Sequence, residues 1–167
     1  AIIGGSKVST KIKVLENLVE IFDSIVIGGA MANTFLLSNN YNVGSSLVEN
    51  DFIDLSKEIQ KKAKSKNCKI LLPVDVVCSK NLDDIENVHT YEINNIPNDQ
   101  MILDVGAQST KLISDEILKS KTVLWNGPLG AFEYSPFDKS TIEVANIIKK
   151  LSTNNQVESI AGGGDTL

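Results

Sequence analysis

The stretch AIIGGSKVSTKIKVLENLVEIFDSIVIGG, residues 1–29, decides how the chain folds. Two short apolar runs, 1–5 and 24–29, each end in a pair of glycines. Between them Ile12, Leu15, Leu18, Val19 and Phe22 recur at the spacing of one helix face. An apolar run, an amphipathic helix and a second apolar run make a βαβ unit, which lays two strands parallel. Strands covered on both faces read as continuous apolar runs, as these do.

The same alternation extends along the chain. AMANTFLLSN (30–39) predicts a helix. Residues 51–66 place Phe52, Leu55, Ile59 and Ala63 on one helix face, with five lysines mostly on the other. KILLP (69–73) reads as a buried strand, and VDVVCSKNLDD leaves the sheet for a polar loop. VHTYEI (88–93) alternates and suggests an edge strand, with antiparallel pairing open to it. MILDVG (101–106), a helix near 109–119 and TVLWNGP (122–128) restore the rhythm. Ser135-Pro136 predicts an N-cap followed by proline at the first helical position, with Asp138 in the first turn and a helix to about Leu151. ESIAGGG adds a last strand and its exit loop. The fold expected is α/β: one Rossmann-like three-layer α/β/α domain over residues 1–167, with a mainly parallel sheet. The first strand is already under way at Ala1 and no helix follows Leu167, so the domain reads as truncated at both ends.

Charge narrows the partners. The net charge of −5 argues against a nucleic-acid backbone or an anionic membrane surface. No apolar run approaches the length of a membrane span, and no leader sequence is visible. All sixteen basic residues are lysines, so this stretch holds no fork-shaped donor for bidentate phosphate or carboxylate recognition. Cys68 and Cys78 are too few for a disulfide scaffold and read as reduced thiols of a cytoplasmic protein. His89 sits in a polar stretch without a partner for base catalysis and reads as an edge residue.

Ligands of parallel sheets bind beyond the carboxyl ends of the strands. The turns that matter are therefore GGSK, IGGAM, LDVGAQS, WNGPLG and GGGDT, and each carries glycine. Glycines on a shared rim would let backbone N–H groups approach a phosphate-bearing ligand. Lys7 and Lys11 stand four apart where the first strand turns into a helix. Cations there oppose the helix dipole, so an anion between them would explain the placement. Neither GxxxxGK[ST] nor GxGxxG occurs. WNGPLGAFE (125–133) offers the Asn126 amide, the Gly127-Pro128 kink and the Glu133 carboxylate, which could accept from ribose hydroxyls. In GGGDT, Asp165 could cap a following helix or reach a magnesium ion bound to nucleotide phosphates.

These residues together resemble the C-terminal, nucleotide-binding domain of the phosphoglycerate kinase family. The likeness is collinear through AIIGGSKVSTKI, IVIGGAMANTFL, LVENDFIDLSKEI, ILLPVDVV, MILDVG, VLWNGPLGAFE with SPFDKST, and IAGGGDT. It implies reversible phosphoryl transfer between 1,3-bisphosphoglycerate and MgADP, giving 3-phosphoglycerate and MgATP in cytoplasmic glycolysis. By that resemblance Lys7 would stabilise the phosphoryl group in flight and Lys11 would bind nucleotide phosphates. Gly4, Gly5, Gly28, Gly29, Leu103 and Leu129 would form the adenine pocket, and Glu133 would hold the ribose. Gly127 and Pro128 would belong to the nucleotide site. Asn126, Gly163 and Gly164 would contact phosphates, Asp165 would serve Mg²⁺ and Thr166 would add a hydroxyl. The intact enzyme would be a monomer whose N-terminal domain, absent here, binds the three-carbon substrate.

The chain departs from the family pattern at Ser6, Ala30, Gln100, Ile102 and Ala107, and Ile102 bears on the shape of the adenine pocket. With no arginine, this piece is expected to be inactive alone, which leaves a non-catalytic nucleotide-binding module as the alternative. A Rossmann-like dinucleotide domain fits less well, since its glycine fingerprint is missing.

Overall fold

The computed structural model describes residues 1–164. Five parallel strands form the main sheet: β1 (Ile2–Ile3), β2 (Ser24–Ile27), β3 (Lys69–Leu71), β7 (Thr122–Asn126) and β8 (Glu158–Gly162), in the order β3-β2-β1-β7-β8. Successive side chains of a strand point to opposite faces. Ile3, Ile25 and Ile27 accordingly pack with Leu15, Met31, Phe35 and Ile59, from α1 (Ile12–Leu18), α2 (Met31–Ser38) and α3 (Ile53–Ser65). Ile2, Val26, Val123 and Trp125 pack with Ile113, Ile117, Val144 and Ile148, from α4 (Ala107–Lys119) and α5 (Lys139–Thr153). The three-layer α/β fold is therefore present, with a core on each face of the sheet.

Three segments fold differently from the reading above. KILLP is not buried: β3 is the sheet edge, with Lys69 exposed and Ile70 and Leu71 half-buried. VDVVCS is not loop but strand β4 (Asp75–Ser79), the centre of a separate antiparallel sheet in the order β5-β4-β6. MILDVG supplies that sheet's β6 (Met101–Val105) instead of a parallel strand, so its exit turn does not leave the main sheet. The edge strand expected at 88–93 is β5 (His89–Glu92), paired antiparallel with β4, and His89 is exposed on it. The fifth helix also starts late. Ser135–Pro136 is a cis bond, the Tyr134 carbonyl accepts from the Phe137 N–H at 2.7 Å, and Phe137 is buried in the turn so formed. α5 begins only at Lys139, with Asp138 in the cap position.

Two buried aspartates tie the small sheet to the helices. Neither α4 nor α5 has a side-chain cap at its own N-terminus. Asp75 of β4 accepts instead from the N–H groups of Gln108 (3.0 Å) and Ser109 (2.7 Å) in the first turn of α4. Asp104 of β6 accepts from the Ser140 N–H (3.1 Å) and hydroxyl in α5, and from the Val105 N–H (2.9 Å). Each carboxylate thus satisfies helix N–H groups that would otherwise be orphans.

Cys68 and Cys78 are buried and unpaired, and burial pushes the Cys78 thiol up to about 12. No helix among the described residues is long and apolar enough to cross a membrane.

Burial lifts Asp104 from its ordinary 3.8 to about 6, against the opposing pull of the Ser140 and Val105 hydrogen bonds. The folded state therefore holds this proton more tightly than the unfolded chain. The resulting stability is fully present below about pH 4 and is lost as pH rises through about 6. Denaturant titrations of the wild type and Asp104→Asn between pH 4 and 7 are expected to show a decline across that window in the wild type that is reduced in the variant.

Candidate functional site

The rim is set by strand register. Ile27 pairs with Ile3, Ile3 with Asn126, and Asn126 with Gly162. Four exit turns therefore leave the sheet at one level: IGGAM, GGSK, NGPLG and GGG. Three of them pack against one another. The Gly4 N–H donates to the Asn126 carbonyl, Gly28 to Ile3 and Gly29 to Leu129, each at 2.9 Å. A Cβ on Gly4 would meet the Pro128 and Gly127 carbonyls, and one on Gly28 would meet Leu129. Gly29, at φ +66, lies against the backbone of Gly5. The structure thus corrects one expectation: the N–H groups of Gly4, Gly28 and Gly29 are spent on backbone carbonyls. These glycines serve the close approach of three turns, and their amides do not face a ligand.

The lysines behave differently from each other. Lys11 is half-buried, and its Nζ donates to Oδ1 of Asn126 across the ends of β1 and β7. Lys7 is exposed on the same turn. That turn is held from below by Glu49, which the sequence did not single out. Its carboxylate accepts from the Ser9 N–H (3.0 Å) and hydroxyl (2.6 Å). Partial burial raises the Glu49 pKa. The hydrogen bonds from Ser9 and the Val8 N–H, with the charge of Lys7, outweigh it and leave the carboxyl below its ordinary value. Glu49 is thus a positioning residue for the Lys7 turn. Its only signal in sequence was an acidic residue inside LVENDF, far from the lysines along the chain.

Beside the turns lies a cavity of about 350 Å³. Gly5, Gly29, Leu103, Pro128, Leu129 and Glu133 line it, so the structure brings these six expected residues together. Leu103 reaches it from the small sheet, because the Ala131 N–H donates to the Leu103 carbonyl at 2.7 Å and draws the 127–134 loop onto β6. Ile102 lines the cavity too, and Leu47, 51% exposed, stands at its mouth. Gly127 has its φ at +96 and lies against Gly4. Glu133 is exposed. Gln100 is buried with its side-chain oxygen unpartnered. A separate cavity of about 200 Å³ sits between β3 and α4, walled chiefly by apolar side chains such as Leu71, Leu112 and Ile113.

Gly163 and Gly164 follow β8 and are exposed at the rim. Asp165 and Thr166 lie outside the described residues. Among the described residues no group of three or more His, Cys, Asp or Glu side chains could hold a metal ion.

A parallel sheet between two helical layers, with glycine turns and a cavity at its carboxyl rim, defines an α/β domain of the class whose ligands bind beyond the carboxyl ends of the strands. A profile of the phosphoglycerate kinase family matches residues 1–167. The chain is 48% identical to the phosphoglycerate kinase of Methylorubrum extorquens (strain PA1) and 46% identical to that of Brucella suis biovar 1 (strain 1330). It is aligned over its full length, and over 42% of each of theirs. The structure of phosphoglycerate kinase from Coxiella burnetii superposes with a TM-score of 0.93 at 38% identity, over 99% of this chain and 42% of that one. Phosphoglycerate kinase from Pyrococcus horikoshii OT3, at 24% identity and a TM-score of 0.79 over 99% of this chain and 41% of that one, shares the fold. This chain belongs to the phosphoglycerate kinase family and spans about two fifths of the length of the curated relatives it matches.

Glu49→Ala removes the acceptor for the Ser9 N–H and hydroxyl. Amide exchange at Val8 and Ser9 is expected to quicken about tenfold, while exchange in β2 stays unchanged. Equal protection at Val8 and Ser9 in both proteins would show that the turn holds itself.

Proposed function

We propose that this chain forms the nucleotide half of a phosphoglycerate kinase, which transfers a phosphoryl group reversibly between 1,3-bisphosphoglycerate and ADP. The observation that carries this reading is the hydrogen bond from Lys11 Nζ to Asn126 Oδ1 at the rim, next to the glycine-walled cavity. An ammonium group has three donors. Asn126 takes one and fixes the group in place, leaving two for phosphate oxygens. The cavity then takes the base between Gly5, Gly29, Leu103 and Leu129, and Glu133 at its edge accepts from the ribose hydroxyls. Gly4 and Gly28 shape that cavity from behind.

Lys7, exposed on its braced turn, is placed to stabilise the phosphoryl group in flight. Phosphoryl transfer needs this sort of positioning and charge stabilisation more than a covalent nucleophile. Gly163 and Gly164 follow Gly162, the register partner of Asn126, and serve the phosphates with Asn126. Asp165 binds the Mg²⁺ that travels with them, and Thr166 adds a hydroxyl. That ion would supply charge neutralisation of the phosphates.

The acidic three-carbon substrate calls for donors that this stretch, with no arginine, does not hold. The chain therefore binds MgADP or MgATP without turnover, as the nucleotide domain of a monomeric cytoplasmic enzyme whose N-terminal domain takes the other substrate.

Calorimetry with MgADP is expected to show saturable binding, weakened about tenfold or more by Lys11→Ala through loss of a charge-assisted contact. A coupled assay with both substrates is expected to show no turnover. Equal affinity in the wild type and Lys11→Ala would remove Lys11 from the site, and turnover near that of intact relatives would overturn the division of labour.

A further inference from the structure

Leu129 walls the cavity with a backbone gripped from two sides. Its carbonyl accepts from the Gly29 N–H at 2.9 Å, at the turn after β2. Its own N–H donates to Oγ1 of Thr141, in the first turn of α5, at 3.1 Å. The residue is 1% exposed, and its side chain fills the space that a Cβ on Gly28 would need. Any shift of Leu129 therefore reshapes the cavity.

The next two residues are held as well. Gly130 lies against the Asp104 carboxylate, so close that a Cβ there would meet Oδ1. The Ala131 N–H donates to the Leu103 carbonyl. Asp104 also accepts from the Ser140 N–H and hydroxyl, so it anchors the same helical turn that presents Thr141. Three successive residues of the loop are thus tied down, and the first tie depends on one side-chain oxygen. Thr141 does not line the cavity, so whatever it does to a ligand passes through Leu129.

We infer that Thr141 is a positioning residue for the nucleotide base: its hydroxyl oxygen holds the Leu129 N–H and so sets the cavity wall against which a base packs. The inference rests on the reading of this cavity as the base site. Valine at position 141 would keep the branched shape of threonine and remove the acceptor. The Leu129 N–H, in a buried residue, would then be a donor without its partner, which is costly. Turning that peptide to find another acceptor relieves the cost and carries Leu129 out of the wall. Serine would keep the oxygen and the bond. The contact between Lys11 and Asn126 at the strand ends does not run through Thr141, so the phosphate end of a ligand is unaffected. The base should feel the change and the phosphates should not.

The test compares two probes, each with Mg²⁺: ADP, and ribose 5-diphosphate, which lacks the base. Dissociation constants are measured calorimetrically on the wild-type chain, Thr141→Val, Thr141→Ala and Thr141→Ser. The wild type is expected to prefer ADP by about tenfold or more, through burial of the base. In Thr141→Val and Thr141→Ala that preference is expected to fall about fivefold, with binding of ribose 5-diphosphate unchanged. Thr141→Ser is expected to keep the wild-type ratio. A ratio cancels any general loosening, so a merely structural Thr141 would weaken both probes in parallel. That parallel outcome, an unchanged ratio in Thr141→Val and Thr141→Ala, or a Thr141→Ser ratio as low as theirs overturns the inference while the base-site reading stands. So does failure of both acceptor-free variants to fold, read by thermal unfolding, since the oxygen would then serve the fold and not the base. A wild-type ratio near one, or no binding of either probe, overturns the base-site reading with it.

Discussion

Close approach of three backbone turns governs this domain. At the carboxyl ends of β1, β2 and β7 the main chains come nearer than any Cβ would permit. Gly4 lies on Gly127 and Pro128, Gly28 on Leu129, and Gly29 on Gly5. This contact decides where Leu129 sits and hence where the 127–134 loop begins. The loop in turn bonds β6 through Ala131 and Leu103, which brings the small sheet in as a cavity wall. Remove the contact and the cavity loses its floor and one side together. The glycines matter here chiefly as surfaces without side chains, and their conformational freedom is needed at Gly5, Gly29 and Gly127, where φ is positive.

The small sheet could drift relative to the main one, since no strand joins them. Asp75 and Asp104 prevent that by sitting on the first turns of α4 and α5. A buried carboxylate is costly unless its oxygens are satisfied. Helix N–H groups are well suited to satisfy them, because they carry the positive end of the helix dipole. The same two contacts cap the helices and lock the sheets. Asp104 also lies along the cavity, so the element that fixes β6 is close to the surface a ligand would meet.

Much of this was legible from residue order. The βαβ periodicity of 1–29 predicted the parallel sheet, and the four turns after β1, β2, β7 and β8 do share a rim. Lys11 and Asn126, far apart in sequence, meet there. The antiparallel sheet was missed, because an apolar strand reads the same whichever way its neighbour runs. The aspartates inside VDVVCS and MILDVG were a usable signal: a charge in the middle of an apolar strand needs a partner. Ser135-Pro136 misled, since a tight turn burying Phe137 competes with helix initiation and wins. The roles of Glu49 and Thr141 were not readable, because each gains its meaning from a backbone N–H that only the folded chain brings to it. Asp165 and Thr166 lie outside the described residues, so the end of the rim stays a matter of resemblance.

The outermost strand of the main sheet has one more consequence. β8 pairs with β7 on one side, and Ile160 on it is 56% exposed. Among the described residues no strand pairs with its other side, and such an edge is a template for a further strand, from the same chain or another. Were that strand to come from a second copy, the mutual repulsion of two acidic chains would oppose the pairing, and salt, which screens the repulsion, would favour it.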